Sequence, residues 1–213
     1  MFISRYLEKK GDGINHIAFN SNDIEKDTQY FLDLGCELVF NVTTNGKTVE
    51  NYIDTRLHGD LMISLRPPAD DWEKLWRKNN ESHPLVNKWK FLGIGICVNN
   101  LDAASNYYSR LGFNASSKKN INKNLRAISQ EFLIGKILFE LIEADQESIF
   151  SDSLKQRGEG VSEIIFLVSD LSKEIEQLEN KGTKILYISS DKRSASVASH
   201  SKGNILTRLI QKD

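Results

Sequence analysis

Short apolar runs recur along the chain and predict buried strands: "HIAF" at 16–19, "IGICV" at 94–98 and "EIIFLV" at 163–168. Each run is followed by polar residues and then by a stretch with apolar residues every three or four positions, which is typical of an amphipathic helix. "LG" or "KG" ends each helical stretch, because glycine readily adopts the left-handed conformation beyond a helix end. Further strand-like runs follow. The pattern therefore predicts a strand–helix–strand–strand–strand module that occurs three times.

Two long segments of the chain are nearly identical in pattern. "YLEKKGDGINHIAF" starts at Tyr6 and "SLKQRGEGVSEIIF" starts at Ser153, with a constant offset of 147 residues. A middle copy starts at Phe91 and aligns with the first at an offset of 77 when Ile17 is placed on Ile94. Self-similarity at fixed offsets indicates a duplicated structural unit. We therefore predict three equivalent modules.

Polar residues between the first strand and the helix of each module are candidate N-caps. A side-chain oxygen at this position accepts a hydrogen bond from a backbone N–H group in the first helical turn. The predicted caps are Asn22, Asn99 and Ser169. Residues 144–159, between the middle and last copies, predict a further short helix.

The composition excludes several classes of protein. With 28 basic and 29 acidic side chains, the 213-residue chain has a net charge of −1. This balance does not indicate a basic face for nucleic acid, so we predict no nucleic-acid partner. No apolar run approaches the roughly 18 residues that a membrane span needs, so we predict no membrane partner. Cys36 and Cys97 form neither a disulfide framework nor a zinc-binding spacing, which favours reduced thiols in a cytoplasmic protein.

Two motifs carry a resemblance to a known family. "SLKQRGEGVSEIIFLVSDL" at 153–171 and "YIDTRLHGDLMISLRP" at 52–67 resemble the vicinal oxygen chelate superfamily of glyoxalases, bleomycin resistance proteins and dioxygenases, and within it methylmalonyl-CoA epimerase-like proteins. The resemblance implies an α+β fold of repeated βαβββ modules. In this family the curved mixed sheets of two modules form one glyoxalase-like cup around a divalent metal.

The order of the motifs implies a division of the chain. Residues 1–67 resemble the second half of a cup and form an orphan βαβββ module, because no first half precedes them in this sequence. Residues 68–91 form a linker rich in tryptophan, whose indole rings we interpret as packing anchors. Residues 92–213 resemble a complete two-module glyoxalase-like domain.

The family's metal ligands come from the first and last strands of each module, and the resemblance allows these positions to be assigned. They are His16 and Ser64 in the first copy, Gly93 and Glu140 in the middle copy, and Glu163 and Arg208 in the last. Gly93 offers no side chain, and Arg208 places a cation where a ligand is expected. The resemblance therefore implies a degenerate metal site. We predict no cofactor, with a divalent metal as the alternative.

Two interpretations of this constellation remain open. Glu140, Glu163 and Arg208 form either a structural salt bridge that fills a former metal site or a metal-free pocket. In the pocket, Arg208 binds an anionic or carbonyl oxygen of the substrate, and Glu140 or Glu163 moves a proton as the catalytic group. His200 matches a histidine that the epimerases carry before their last strand, so it is a second candidate for substrate binding.

The resemblance implies a glyoxalase or methylmalonyl-CoA epimerase-like protein that acts on or binds a small acyl or keto compound without a standard metal site. As an enzyme it would be an isomerase, epimerase or lyase. The alternatives are a metal-free small-molecule binding or sequestering protein of the bleomycin-resistance type, or a protein-interaction module. The expected partners are a small molecule, including an acyl thioester, and a second copy of the chain in a homodimer.

Overall fold

A computed structural model describes residues 2–68, 78–79, 88–198 and 205–213. Most of the linker rich in tryptophan lies outside these residues, as does the candidate substrate-binding residue His200. Within the described part of the chain, no helix combines the length and the apolar character that a membrane span requires.

The described elements follow the predicted order of an α+β protein. The first module consists of α1 (Phe2–Lys10), β1 (His16–Asn20), α2 (Ile24–Asp33), β2 (Glu37–Thr44), β3 (Lys47–Asp54) and β4 (Met62–Arg66). The middle module consists of β5 (Trp89–Cys97), α3 (Leu101–Arg110), β6 (Asn114–Ala115), β7 (Asn120–Asn122), β8 (Ala127–Ile134) and β9 (Ile137–Ala144). The predicted short helix α4 (Ser151–Arg157) follows, and then β10 (Gly160–Val168), α5 (Leu171–Asn180), β11 (Ile185–Ile188), β12 (Ser194–Val197) and β13 (Leu206–Gln211). The repeated βαβββ order is confirmed, except that in the middle module two short strands, β6 and β7, take the place of one and both pair with β8.

The helix N-caps lie one residue later than predicted. In each helix the capping side chain accepts a hydrogen bond from the backbone N–H three residues further on, and the caps are Asp23, Asn100 and Asp170. The prediction of Asn22, Asn99 and Ser169 is therefore wrong. The first apolar residue of each motif is already the first helical residue, so the cap is the residue directly before it.

Within the described residues, the strands form a four-stranded and a nine-stranded sheet. The four-stranded sheet has the order β1-β4-β3-β2 and belongs to the first module. The nine-stranded sheet has the order β11-β12-β13-β10-β5-β9-β8-β6, with β7 paired to β8. In every module the first and last strands are parallel neighbours. The middle and last modules join because β5 and β10 pair antiparallel.

The first module packs on the outer face of the middle module. The Phe19 ring stacks on Phe139 with 6.0 Å between ring centroids, and Tyr108 donates a hydrogen bond to the carbonyl oxygen of His58 at 3.0 Å. A single core cluster includes side chains from both modules: Ile53, Ile63, Leu65, Ile94, Ile96 and Leu141. Burial of this apolar surface holds the two sheets together, at about 25 cal/mol per Å² removed from water.

Glu159 connects all three modules. Its carboxylate accepts hydrogen bonds from the N–H of Gly59 at 2.8 Å and from the N–H of Asn99 at 2.7 Å. Lys10 donates to the carbonyl oxygen of Glu159 at 2.9 Å and forms an ion pair with Asp60 at 2.7 Å. The two repeated segments thus lie against each other and share one polar clamp.

We expect Glu159→Ala to lower the free energy of unfolding by about 2 kcal/mol, because the partly buried N–H of Gly59 and the exposed N–H of Asn99 both lose a charged acceptor. Urea denaturation measures this change. The matched control is Asp12→Ala, since Asp12 is the equivalent residue in the first copy and is exposed. Equal urea midpoints for the two variants would contradict the conclusion that the hydrogen bonds of Glu159 stabilise the contact between the modules.

Candidate functional site

A β-bulge between β5 and β10 directs Glu163 to the inner face of the nine-stranded sheet. Val161 lies opposite Ile96, but the register then shifts, so that Glu163 lies opposite Gly95. Ser162 is the extra residue, and its hydroxyl donates to the carbonyl oxygen of Gly95 at 3.3 Å. Since side chains alternate between the two faces of a strand, an unbulged strand would place Val161 and Glu163 on the same outer face.

Three charged side chains meet on this inner face. The guanidinium of Arg208 donates a hydrogen bond to Glu140 and lies 2.9 Å from a carboxylate oxygen of Glu163. Glu163 is fully buried, and the side chain of Arg208 is only 15% exposed. Glu131, the cross-strand neighbour of Glu140 on β8, adds a third carboxyl group. The structure thus brings together Glu140, Glu163 and Arg208, as the sequence predicts.

Burial and charge shift the protonation of this cluster. The pKa of Glu163 is raised to about 7, because burial raises it most strongly, Arg208 opposes the rise and Glu140 adds to it. Burial and Glu140 also raise the pKa of Glu131. Burial disfavours the charge of Arg208, but Glu163 and Glu140 outweigh this effect and raise its pKa. The carboxyl group of Glu163 therefore titrates close to neutral pH, whereas Arg208 stays charged.

The cluster leaves buried polar atoms without partners. Among the described residues, both carboxylate oxygens of Glu163 and the Nε of Arg208 have no hydrogen-bond partner. The 2.9 Å contact between Arg208 and Glu163 is thus an ion pair without good hydrogen-bond alignment. A buried polar atom without a partner costs free energy, and such atoms are common where a ligand binds.

The divalent metal that the family resemblance implies does not fit these residues. A Cβ atom on Gly93 would overlap the carbonyl oxygen of Leu138, so no ligating side chain fits there without moving β9. The guanidinium of Arg208 contacts both Glu140 and Glu163, so a cation already fills the place between the carboxylates. Within the described residues, no three His, Cys, Asp or Glu side chains are grouped to hold a metal.

A small cavity borders the charged cluster. It has a volume of about 50 Å³ and is lined by Asn120, Asn122, Leu125, Ala127, Ser129, Glu140, Ile142, Phe150 and Arg208. Its wall is polar near Glu140 and Arg208 and apolar near Phe150. The opposite edges of the sheet approach each other here, since the amide nitrogen of Asn122 lies 3.5 Å from the Tyr187 hydroxyl.

The two assigned positions of the first copy lie elsewhere, on the four-stranded sheet. Ser64 donates a hydrogen bond to Glu50 at 2.7 Å, and the His16 ring lies edge-on to Tyr52 with 5.0 Å between centroids. Burial lowers the pKa of His16, so its imidazole is neutral at pH 7. The structure therefore does not bring His16 and Ser64 to the cup of the other two modules.

A larger and more open cleft of about 580 Å³ separates the first module from α3. Three of its charged side chains are already paired, since Arg56 donates to Asp54 at 2.9 Å and Asp60 binds Lys10 at 2.7 Å. None of the described buried polar atoms without a partner lies in its lining. The smaller cavity beside Arg208 is therefore the better candidate site.

Sequence reasoning missed two residues of this site. Glu131 alternates with Ser129 on a predicted strand, but the cross-strand neighbour of Glu131 depends on the register between β8 and β9. Phe150 lies in a linker, where the apolar pair Ile149–Phe150 was the only signal that the segment is buried.

Replacing Glu163 by glutamine tests the buried proton. The folded-state pKa of about 7 exceeds the ordinary 4.5, so the stability from protonated Glu163 is complete below pH 4.5 and is lost as the pH rises to 7. This loss is on the order of 3 kcal/mol. Glutamine does not titrate, so Glu163→Gln should not lose this stability. The free energy of unfolding of Glu163→Gln minus that of wild type should therefore increase between pH 4.5 and about 7.5.

Urea denaturation at several pH values measures this difference. Glu131→Gln is the control, because the half-buried carboxyl group of Glu131 has a smaller rise in pKa and should show a smaller change in the same direction. Parallel pH profiles for wild type and Glu163→Gln would show that Glu163 ionises normally.

Arg208→Glu should create a divalent metal site, because it replaces the permanent cation by a third carboxylate beside Glu140 and Glu163. We expect Mn²⁺ to bind at least about tenfold more tightly than to wild type, as measured by calorimetry. Arg208→Gln separates the loss of the positive charge from the gain of a carboxylate ligand, since it removes the repulsion of Mn²⁺ without adding a carboxylate. Equal Mn²⁺ affinity of the two variants would disprove the ligand geometry.

Comparison with known proteins supports the fold. The family model described as the glyoxalase/bleomycin resistance protein/dioxygenase superfamily matches residues 93–200, about half of the chain. No curated protein sequence matches the chain. A mutant of 4-hydroxymandelate synthase from Streptomyces coelicolor has a TM-score of 0.70 and 14% identity over 100% of this chain and 75% of its own.

Two further solved structures cover 59% of the chain. A hypothetical protein from Bacillus halodurans has a TM-score of 0.50 and 20% identity over 95% of its length. A methylmalonyl-CoA epimerase from Streptomyces coelicolor has a TM-score of 0.49 and 24% identity over 99% of its length. At these identities the structural likeness concerns the fold alone. Since the matching family model extends over both modules that share the nine-stranded sheet, the chain belongs to the glyoxalase, bleomycin resistance protein and dioxygenase superfamily, the vicinal oxygen chelate superfamily.

Proposed function

We propose that the chain is a metal-independent member of this superfamily, which binds a small acyl or keto compound in the cup of the nine-stranded sheet. Arg208 binds a carbonyl or carboxylate oxygen of the ligand at the place that a metal occupies in related proteins. One observation carries this proposal: the guanidinium of Arg208 lies between Glu140 and Glu163 and also borders the cavity.

Arginine suits this role because its planar guanidinium presents several N–H donors in a fixed arrangement. Glu140 and Glu163 engage one terminal nitrogen of Arg208, and its Nε has no partner among the described residues. A ligand oxygen would supply the acceptor that the guanidinium lacks. Asn120, Asn122 and Ser129 add neutral polar groups to the cavity wall.

The two glutamates have different roles in this proposal. Glu140 borders the cavity and can touch a ligand, so it is the candidate general base. It takes a proton from the carbon beside the carbonyl group, while Arg208 stabilises the negative oxygen that forms. Glu163, with its pKa near 7, lies behind Arg208 and sets the charge of the pair. Delivery of this proton from Glu140 to the negative oxygen or to another carbon of the ligand would complete an isomerisation.

A second candidate function is a protein-interaction module, as expected for a cup that side chains fill. An apolar cluster of Cys97, Ala127, Ile142, Phe150 and Leu206 occupies the cup next to the cavity. This packing leaves room for a small ligand at most. If the protein is an interaction module with a filled cup, it should bind no small acid at millimolar concentrations.

The homodimer is also part of the proposal. Leu38 and Phe40 on the edge strand β2 are 42% and 50% exposed, so a second copy could cover them. The use of an acyl thioester and a cytoplasmic location stay predictions from the sequence.

We expect acetate and glyoxylate, titrated at millimolar concentrations, to bind to the wild-type protein in ligand-observed NMR. Arg208→Lys should weaken binding about tenfold, because a lysine ammonium cannot bridge two carboxylates and a ligand in the same plane. Arg157→Lys is the matched control, since Arg157 is a buried arginine that donates to the Tyr6 hydroxyl outside the cup. Equal binding by the two variants would contradict the role of Arg208.

A further inference from the structure

The segment between β9 and α4 folds back into the cup. Phe150, which directly precedes α4, is only 3% exposed. Its ring belongs to a cluster with four side chains of the nine-stranded sheet: Cys97, Ala127, Ile142 and Leu206. The linker between two modules thus supplies a buried aromatic ring to the sheet.

The strand registers place this ring on the same face as the charged cluster. Ile142 lies two residues after Glu140 on β9, and Leu206 lies two residues before Arg208 on β13. Residues two apart on a strand share a face, so the partners of Phe150 line the interior of the cup. Phe150 and Arg208 accordingly line the same cavity.

Hydrogen bonds fix the segment that carries Phe150. The hydroxyl of Ser148 donates to the carbonyl oxygen of Leu125 at 2.6 Å, and the N–H of Asp145 donates to the carbonyl oxygen of Arg126 at 3.0 Å. The Nε of Arg126 also donates to the Asp145 carboxylate at 3.0 Å. The ring is therefore held from both the linker and the sheet, as a fixed wall.

The remaining volume limits what can reach Arg208. The cavity measures about 50 Å³, which is less than the liquid volume of two water molecules at about 30 Å³ each. Only a short acyl group of a few non-hydrogen atoms therefore fits beside Arg208. A longer acyl chain that approaches Arg208 would meet the Phe150 ring.

We propose that Phe150 is the specificity-determining residue of the cup and restricts its ligand to acyl or 2-oxo acids of two or three carbons. This inference rests on the proposed function, because it assumes that the ligand oxygen binds Arg208. It assigns a recognition role to the linker between the modules, which strand positions alone do not suggest.

Straight-chain monocarboxylates of two to eight carbons test the proposal in ligand-observed NMR titrations. The wild-type protein should bind the two- and three-carbon acids and lose affinity at least tenfold for the six- and eight-carbon acids. Phe150→Ala removes the ring, so the preference should reverse and the six-carbon acid should bind at least tenfold more tightly than to wild type.

Two further variants keep the test decisive. Phe150→Leu makes a smaller change that preserves an apolar core, and it should extend the accepted chain by one or two carbons. Phe113→Leu is the matched control, because Phe113 is a buried phenylalanine in the cluster on the outer face of the sheet. Its chain-length preference should equal that of wild type. Circular dichroism checks that each variant is folded. If Phe150→Ala does not fold, the chain-length preference of Phe150→Leu decides the test.

The possible failures are distinguishable. If acids bind to wild type and both Phe150→Ala and Phe150→Leu keep the chain-length preference of wild type, the role of Phe150 is wrong and the proposed function stands. If Phe113→Leu changes the preference equally, the effect comes from general loosening and the role of Phe150 is wrong. If no acid binds to wild type, the proposed function fails, and the specificity inference fails with it.

Discussion

The antiparallel pairing of β5 with β10 is the interaction on which the rest of the site depends. It joins the middle and last modules into one sheet, and its register places Glu163 opposite Gly95. Because Gly95 has no side chain, the Glu163 side chain occupies the space above it and reaches Arg208. A side chain at position 95 would push Glu163 away, so the glycine and the bulge together determine the geometry of the cluster.

The buried cluster is a costly arrangement. Moving carboxylates and a guanidinium out of water costs several kcal/mol per ion, and their mutual attraction repays this only with good geometry. Here Glu140 has a hydrogen bond to Arg208, whereas Glu163 has only an ion-pair contact. Such an incomplete network contributes little to stability compared with packed apolar side chains. This cost is consistent with the proposed role of the cluster in ligand binding.

Much of the fold follows from the sequence, whereas the detailed site does not. Repeats and apolar periodicity predicted three βαβββ modules, because each module has its own strand, cap and glycine signals. The positions of Glu140 and Arg208 followed from the family resemblance. The bulge at Ser162 and the pairing of Glu131 with Glu140 depend on how distant strands align, which local patterns do not encode. The caps were wrong by one residue because neighbouring polar residues are chemically equivalent candidates.

The clamp at Glu159 has a consequence for the order of folding during synthesis. The N–H groups of Gly59 and Asn99 belong to the first two modules, but their acceptor belongs to the third. While the chain grows on the ribosome, these two amides lack this acceptor until residue 159 has emerged. The first two modules can therefore pack against each other early, but the loops that meet Glu159 gain their final conformation only when translation is well advanced.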